Sequence, residues 1–216
     1  MIYYLSKKPV LSEFHSSLKT LINEKELEPF VYCKNRNFYY IGKNMIITTK
    51  RNNAFFENVA RFPINTDEES KISVKDEELQ KLENFVIRNS LTSVIINKIK
   101  LKKFINENYN SMAKRRKIIC NISSNSRDFE LDFRFFPKKK SSSVFESKYT
   151  INKFPTVRKT EIGDNDIRVR CLLVYEALEI FEDINVRLEI DNNNEFIRFS
   201  AFRNGIDTKV IILTEH

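Results

Sequence analysis

The chain has 216 residues, with 37 Lys+Arg against 29 Asp+Glu, a formal net charge of +8, three Gly, two His, three Cys and no Trp. Gly42, Gly163 and Gly205 are isolated, so no glycine-rich loop can bring backbone N–H groups close to a nucleotide phosphate, which excludes P-loop and dinucleotide-fold chemistry. His15 and His216 lie at opposite ends and Cys33, Cys120 and Cys171 are far apart in sequence, so neither a zinc site, a disulfide framework nor a cofactor is expected. The first ten residues are too short and too charged for a targeting segment, and the chain reads as reduced, intracellular and without a membrane span.

Taken from the N-terminus, the apolar segment 2–5 precedes Leu11, Phe14, Leu18, Leu21 and Ile22, whose spacing predicts a helix with Ser12, Ser16, Lys19 and Asn23 on its polar face. Segments 30–34, 38–41 and 45–50 are rich in β-branched and aromatic residues and bounded by turn material, which predicts a meander of antiparallel strands. Segment 67–84 holds seven acids and three bases, with Leu79, Leu82, Phe85 and Val86 at helical spacing, and predicts an acidic surface helix on an insertion.

A strand at 93–96 leads into a second helix. Leu101, Phe104, Ile105 and Met112 form its apolar side, with Lys102, Lys103, Asn106 and Tyr109 or Asn110 toward solvent. Strands 118–123 and 128–136 follow. In the latter Phe129, Leu131, Phe133 and Phe135 alternate with Asp128, Glu130, Asp132 and Arg134, so one face of the sheet is buried. The run from Pro137 to Ser143 reads as a polar loop, with a nuclear-import patch as the second reading.

After a connector at 150–165 the order recurs, with a strand at 167–171, a helix at 172–183 and strands at 185–191, 196–203 and 208–214. In this third helix Val174, Ala177, Leu178 and Phe181 make the apolar face and leave Glu176, Glu179 and Asp183 outside. Three passes of strand, helix and strands imply an α+β fold whose helices line one face of a continuous antiparallel sheet.

The charge is uneven along this order. Segment 98–117 holds eight bases and one acid, 138–159 seven and one, and 160–216 six and twelve. A basic strip of this density is either a solvated surface or the footprint of a phosphate backbone, where each Lys or Arg releases a condensed counterion. His15 reads as a polar surface residue, the cysteines as small buried hydrophobes, and the period-2 phenylalanines as core rather than base-stacking platforms.

Several stretches resemble the PCNA-like DNA sliding clamps and, within them, the subunits of the nine-one-one DNA-damage checkpoint clamp. The run from Leu11 to Glu24, with Leu-Lys-Thr-Leu-Ile inside it, is similar to the first clamp helix. Leu101-Lys-Lys-Phe-Ile105 is similar to the basic pore helix of the first clamp domain, and Phe196-Ile-Arg-Phe-Ser-Ala-Phe-Arg203 to the strand after the third helix. Ala54-Phe-Phe-Glu-Asn-Val59 is similar to a Phe-Phe-x-x-aromatic block of checkpoint subunits.

The resemblance implies a first clamp domain over 1–150 with an acidic insertion at about 64–90, a connector at 151–165, and the first half of a second domain over 166–216. It also implies a non-catalytic subunit of a nuclear heterotrimer, assembled with two other clamp subunits, placed by a clamp loader around double-stranded DNA without sequence specificity, and independent of membranes. The residues it assigns to DNA are Lys19, Lys100, Lys102, Lys103, Asn106, Lys114, Arg115 and Arg116. The acids of the third helix are of the wrong sign for that partner. One alternative is a replicative homotrimeric clamp. A remote one is a metal-dependent nucleic-acid enzyme using Asp164, Asp166 and Asp191.

Overall fold

The computed structural model of the chain describes residues 15–51, 56–64, 90–125, 130–138, 147–152, 165–191 and 193–215. In chain order the elements are α1 (His15–Asn23), β1 (Phe30–Asn35), β2 (Asn37–Ile41), β3 (Met45–Lys50), β4 (Phe56–Pro63), β5 (Ser90–Asn97), α2 (Lys98–Asn108) and α3 (Met112–Arg115). There follow β6 (Ile118–Asn125), β7 (Glu130–Pro137), β8 (Ser147–Asn152), β9 (Asn165–Arg170), α4 (Cys171–Ile180), β10 (Asn185–Asp191), β11 (Phe196–Arg203) and β12 (Ile206–Leu213). The chain forms two compact units, Met1–Arg88 with Ser200–Ile211, and Asn89–Phe199 with Ile212–His216.

In the first unit the strand order is β4-β1-β2-β3-β12. Asn35 takes a φ of 54°, which Asn tolerates, and the chain returns with Lys34 opposite Asn37. Burial is continuous rather than alternating at the centre, covering Phe38 to Tyr40 and Met45 to Thr49. Both faces are therefore covered there. Leu18 and Leu21 of α1 are buried while Lys19 and Asn23 are exposed, as the helical spacing predicted. Gly42 is dictated by a close approach, because a Cβ there would fall 1.7 Å from the Glu26 carbonyl oxygen. Asn204 and Gly205, at φ 51° and 78°, supply the two left-handed residues of the β11–β12 hairpin turn.

In the second unit a four-stranded antiparallel sheet has the order β8-β7-β6-β9, and β11, β10 and β5 neighbour one another in a separate sheet. The continuous sheet expected from the sequence is thus replaced, within this unit, by two. Leu131, Phe133 and Phe135 are fully buried on β7 and Arg134 is exposed, so the alternation there holds. Strands β4 and β8 have no counterpart among the expected elements. The strands on either side of the expected connector belong to one sheet: β9 pairs with β6 through Ile119↔Arg170 to Ser124↔Asn165, and β8 occupies the other edge. Long-range strand pairing decides where a unit ends, and local composition does not record it. The expected acidic helix at 67–84 lies outside the described residues.

Candidate nucleic-acid interface

The basic segment 98–117 folds into α2 and α3, which pack on α4 in the second unit. Asn97 starts α2 by accepting the Lys100 backbone N–H at 3.1 Å, and Tyr109 ends it by donating its own N–H to the Ile105 carbonyl. Leu101 and Ile105 are buried, and the Phe104 ring lies 5.6 Å from Phe135 and 5.3 Å from Tyr149. Tyr109 is buried too, its hydroxyl 2.8 Å from Ser147 Oγ, which leaves Asn110 as the exposed one of that pair. The first turn of α2 carries no acid and the last turn no base. Lys98 and Lys100 instead sit at the positive end of the helix dipole, where each cation costs about 0.3–1 kcal/mol.

The basic side chains separate into two sets. Those of the first set turn toward α4. The Lys98 ammonium donates to the Phe181 carbonyl just past the end of that helix. Its pKa is lowered by burial first and by the neighbouring Lys102 charge next, against the opposing pull of Glu179, Asp183 and Glu182. Lys102 Nζ lies 2.5 Å from Glu179 Oε1 and 5.6 Å from the Tyr175 ring centre. Arg115 is only 7% exposed. Its guanidinium stands 3.6 Å from the Tyr175 ring centre and donates to Asn106 Oδ1, while Asn106 Nδ2 donates to the Tyr175 hydroxyl at 3.3 Å.

The second set faces solvent: Lys100 and Lys103, three residues apart on α2, and Lys114, Arg116 and Lys117 beyond it. Lys103 has Glu107 at 3.8 Å, but both side chains are more than half exposed, so that pair adds little. A shallow groove beside them is lined by Ile99, Lys102, Lys103, Asn106 and Glu107. Lys19 is exposed on α1 in the first unit, whereas the other seven residues assigned from the sequence lie in the second.

Two expectations therefore change. A run of four bases at 114–117 looks uniform in sequence, yet Arg115 is packed under an aromatic ring while its neighbours are exposed. The third helix is not an acidic face either. All of α4 is buried except Tyr175 and Glu179, Glu176 is buried with it, and the Glu179 charge meets Lys102. Tyr175 and Glu179 were the partners missed from sequence. Their signal was two polar-tipped residues at i and i+4 on an otherwise apolar helix.

Cys33, Cys120 and Cys171 are buried, as expected, and burial raises all three thiols, Cys171 to about 12. Of the acids considered for a metal, Asp164 lies outside the described residues and Asp166 is exposed on β9. Asp191 is fully buried, its Oδ2 accepting the backbone N–H groups of Asn193 and Glu195 at 3.1 and 3.3 Å, which commits it to the β10–β11 turn. Among the described residues no cluster of three or more His, Cys, Asp or Glu is placed to hold a metal ion, and no helix is long and apolar enough to cross a membrane.

This α+β arrangement is the fold of the DNA sliding clamps. The chain is similar to DNA polymerase III subunit beta from Borrelia burgdorferi (TM-score 0.60, 9% identity, covering 90% of this chain and 58% of that one). It is also similar to the Helicobacter pylori beta clamp (TM-score 0.60, 10% identity, 96% and 64%). A third neighbour is the beta subunit of DNA polymerase from Streptococcus pyogenes (TM-score 0.59, 8% identity, 89% and 58%). The chain thus spans about three-fifths of the length of these neighbours. No family model matches the sequence. No curated protein matches it either.

Proposed function

We propose that the chain is a non-catalytic subunit of a DNA sliding clamp that holds duplex DNA through its phosphates, without reading bases. The observation that carries this reading is the exposed row Lys100, Lys103, Lys114 and Arg116 on and beside α2 in a chain of clamp fold. Lys100 lies in the first turn of α2, where its charge opposes the helix dipole, so that cation is not there to stabilise the helix. A polyanion relieves both that cost and the mutual repulsion of the row. Lys19, exposed on α1 in the first unit, is a separate candidate for a phosphate contact.

The finer assignment is to a heterotrimeric checkpoint clamp in the nucleus, formed with two other clamp subunits and opened by a clamp loader. It rests on the checkpoint-like block from Ala54 to Val59 and on the long connector before β9. The second reading is a replicative processivity clamp, favoured by the names of the structural neighbours, which are polymerase subunits.

Titrating the purified chain with duplexes of unrelated sequence tests the common core. Equal affinities that fall steeply with salt are expected, and strong sequence preference or salt-independent binding overturns it. The mass of the purified chain separates the finer readings: a monomer fits the checkpoint heterotrimer and a stable homotrimer the replicative clamp.

A further inference from the structure

We infer that Glu179 acts as an internal competitor for phosphate, holding Lys102 out of the DNA contact and setting the grip of this face at a lower level than its lysine count implies. The inference rests on the DNA-binding reading above and deepens it. Lys102 and Lys103 are adjacent in sequence and read alike, but only Lys103 presents its charge to solvent, its side chain 74% exposed against 22% for Lys102. The difference comes from α4. Glu179 is one of two residues of that helix not buried, its carboxylate is 2.5 Å from Lys102 Nζ, and one turn earlier Tyr175 sets its ring beside the same ammonium.

The pair is only partly buried, at 22% and 33% side-chain exposure. Its attraction is therefore of the same modest order as a single phosphate contact, and neither state is locked. With Glu179 charged, Lys102 contributes no net positive charge to the groove it lines with Lys103 and Asn106. Without that charge the lysine is available to a phosphate. Lys98 and Arg115 are withdrawn differently, by a backbone carbonyl and by an aromatic ring with Asn106, so no single carboxylate substitution frees them. Glu179 is a tuning residue, acting on DNA through Lys102.

The test is a charge cycle on the full chain, with binding to a duplex measured across a salt series for wild type, Glu179→Gln, Lys102→Met and the double variant. Each phosphate contact contributes about 0.9 to the slope of log K against log salt, so Glu179→Gln is expected to steepen the slope by about 0.9 and to tighten binding about eightfold at 0.1 M salt. The double variant, which removes a self-neutralised pair, is expected to match wild type in affinity and slope. Both substitutions keep side chains of similar size at partly exposed positions, and circular dichroism checks the fold of all three variants.

Wild-type binding with no gain in Glu179→Gln overturns the inference and leaves the DNA reading standing. So does a double variant weaker than wild type, which would show that Lys102 already contacts phosphate. Absence of DNA binding in wild type and Glu179→Gln alike overturns the DNA reading and this inference with it. Binding that emerges only in Glu179→Gln supports both.

Discussion

Replacing Lys100 and Lys103 together by Met removes the two exposed lysines of α2 without touching its buried side. Leu101, Phe104 and Ile105 carry the packing, and Asn97 caps the helix through the Lys100 backbone N–H, which the substitution keeps. Stability should rise by no more than about 1 kcal/mol, because removing Lys100 relieves a cost of about 0.3–1 kcal/mol for a cation at the positive end of the helix and the Lys103–Glu107 pair that disappears as well is weak. Binding should change much more. Two phosphate contacts contribute about 1.8 to the magnitude of the salt slope, which at 0.1 M salt corresponds to about 60-fold in affinity and fades toward 1 M. Fluorescence anisotropy of a labelled duplex from 0.05 to about 0.5 M salt reads both quantities at once. An unchanged slope in a folded double variant would refute the assignment of α2 as the DNA-facing helix, whatever happened to affinity at one salt concentration.

Other expectations follow from the same geometry. Arg115→Met should lower the urea midpoint by the equivalent of about 2 kcal/mol, because a desolvated guanidinium on the Tyr175 ring is removed, while leaving the salt slope of DNA binding unchanged; a slope reduced by about 0.9 would instead place Arg115 on a phosphate. Burial pushes Asp132 upward, but its hydrogen bonds from Lys148 and Thr150 and the charges of Lys148 and Arg134 outweigh that and leave it below its ordinary 3.8. The stability this adds is complete above pH 3.8 and lost as pH falls through the lowered value, so Asp132→Asn should lower stability at pH 7 and flatten the acid limb of a denaturation series; parallel limbs would contradict it. Gly42→Ala should reduce expression of folded protein or stability by several kcal/mol, since the new Cβ meets the Glu26 carbonyl. Normal stability there would mean the chain reroutes between α1 and β1.

Much of the fold was legible in the sequence because one-face patterns are local. Leu18 and Leu21 on α1, Leu101 and Ile105 on α2, and Leu131, Phe133 and Phe135 on β7 all fall where period 3.6 or period 2 places them. The third helix was misread because burial on nearly all sides erases the period, so Glu176 looked like one more outward acid when it is inside. The division into units was not legible, since β9 joins β6 across more than forty residues and nothing local marks that pairing. In the candidate site the identity of the basic helix was readable from charge density alone, but the sorting of its cations was not. Whether a lysine meets water, a carboxylate or a ring depends on what α4 presents, and that helix arrives more than sixty residues later.

The central claim is that the chain helps to enclose DNA. The most direct measurement isolates the chain from its own cells with its bound partners and places the assembly on a nicked circular plasmid. It then challenges the complex with about 0.5 M salt, which suppresses simple phosphate contacts, before cutting the circle at one site. A clamp stays on the circle through the salt step and is released when the DNA is made linear. Loss from the intact circle in salt, or retention that survives the cut, would contradict the account.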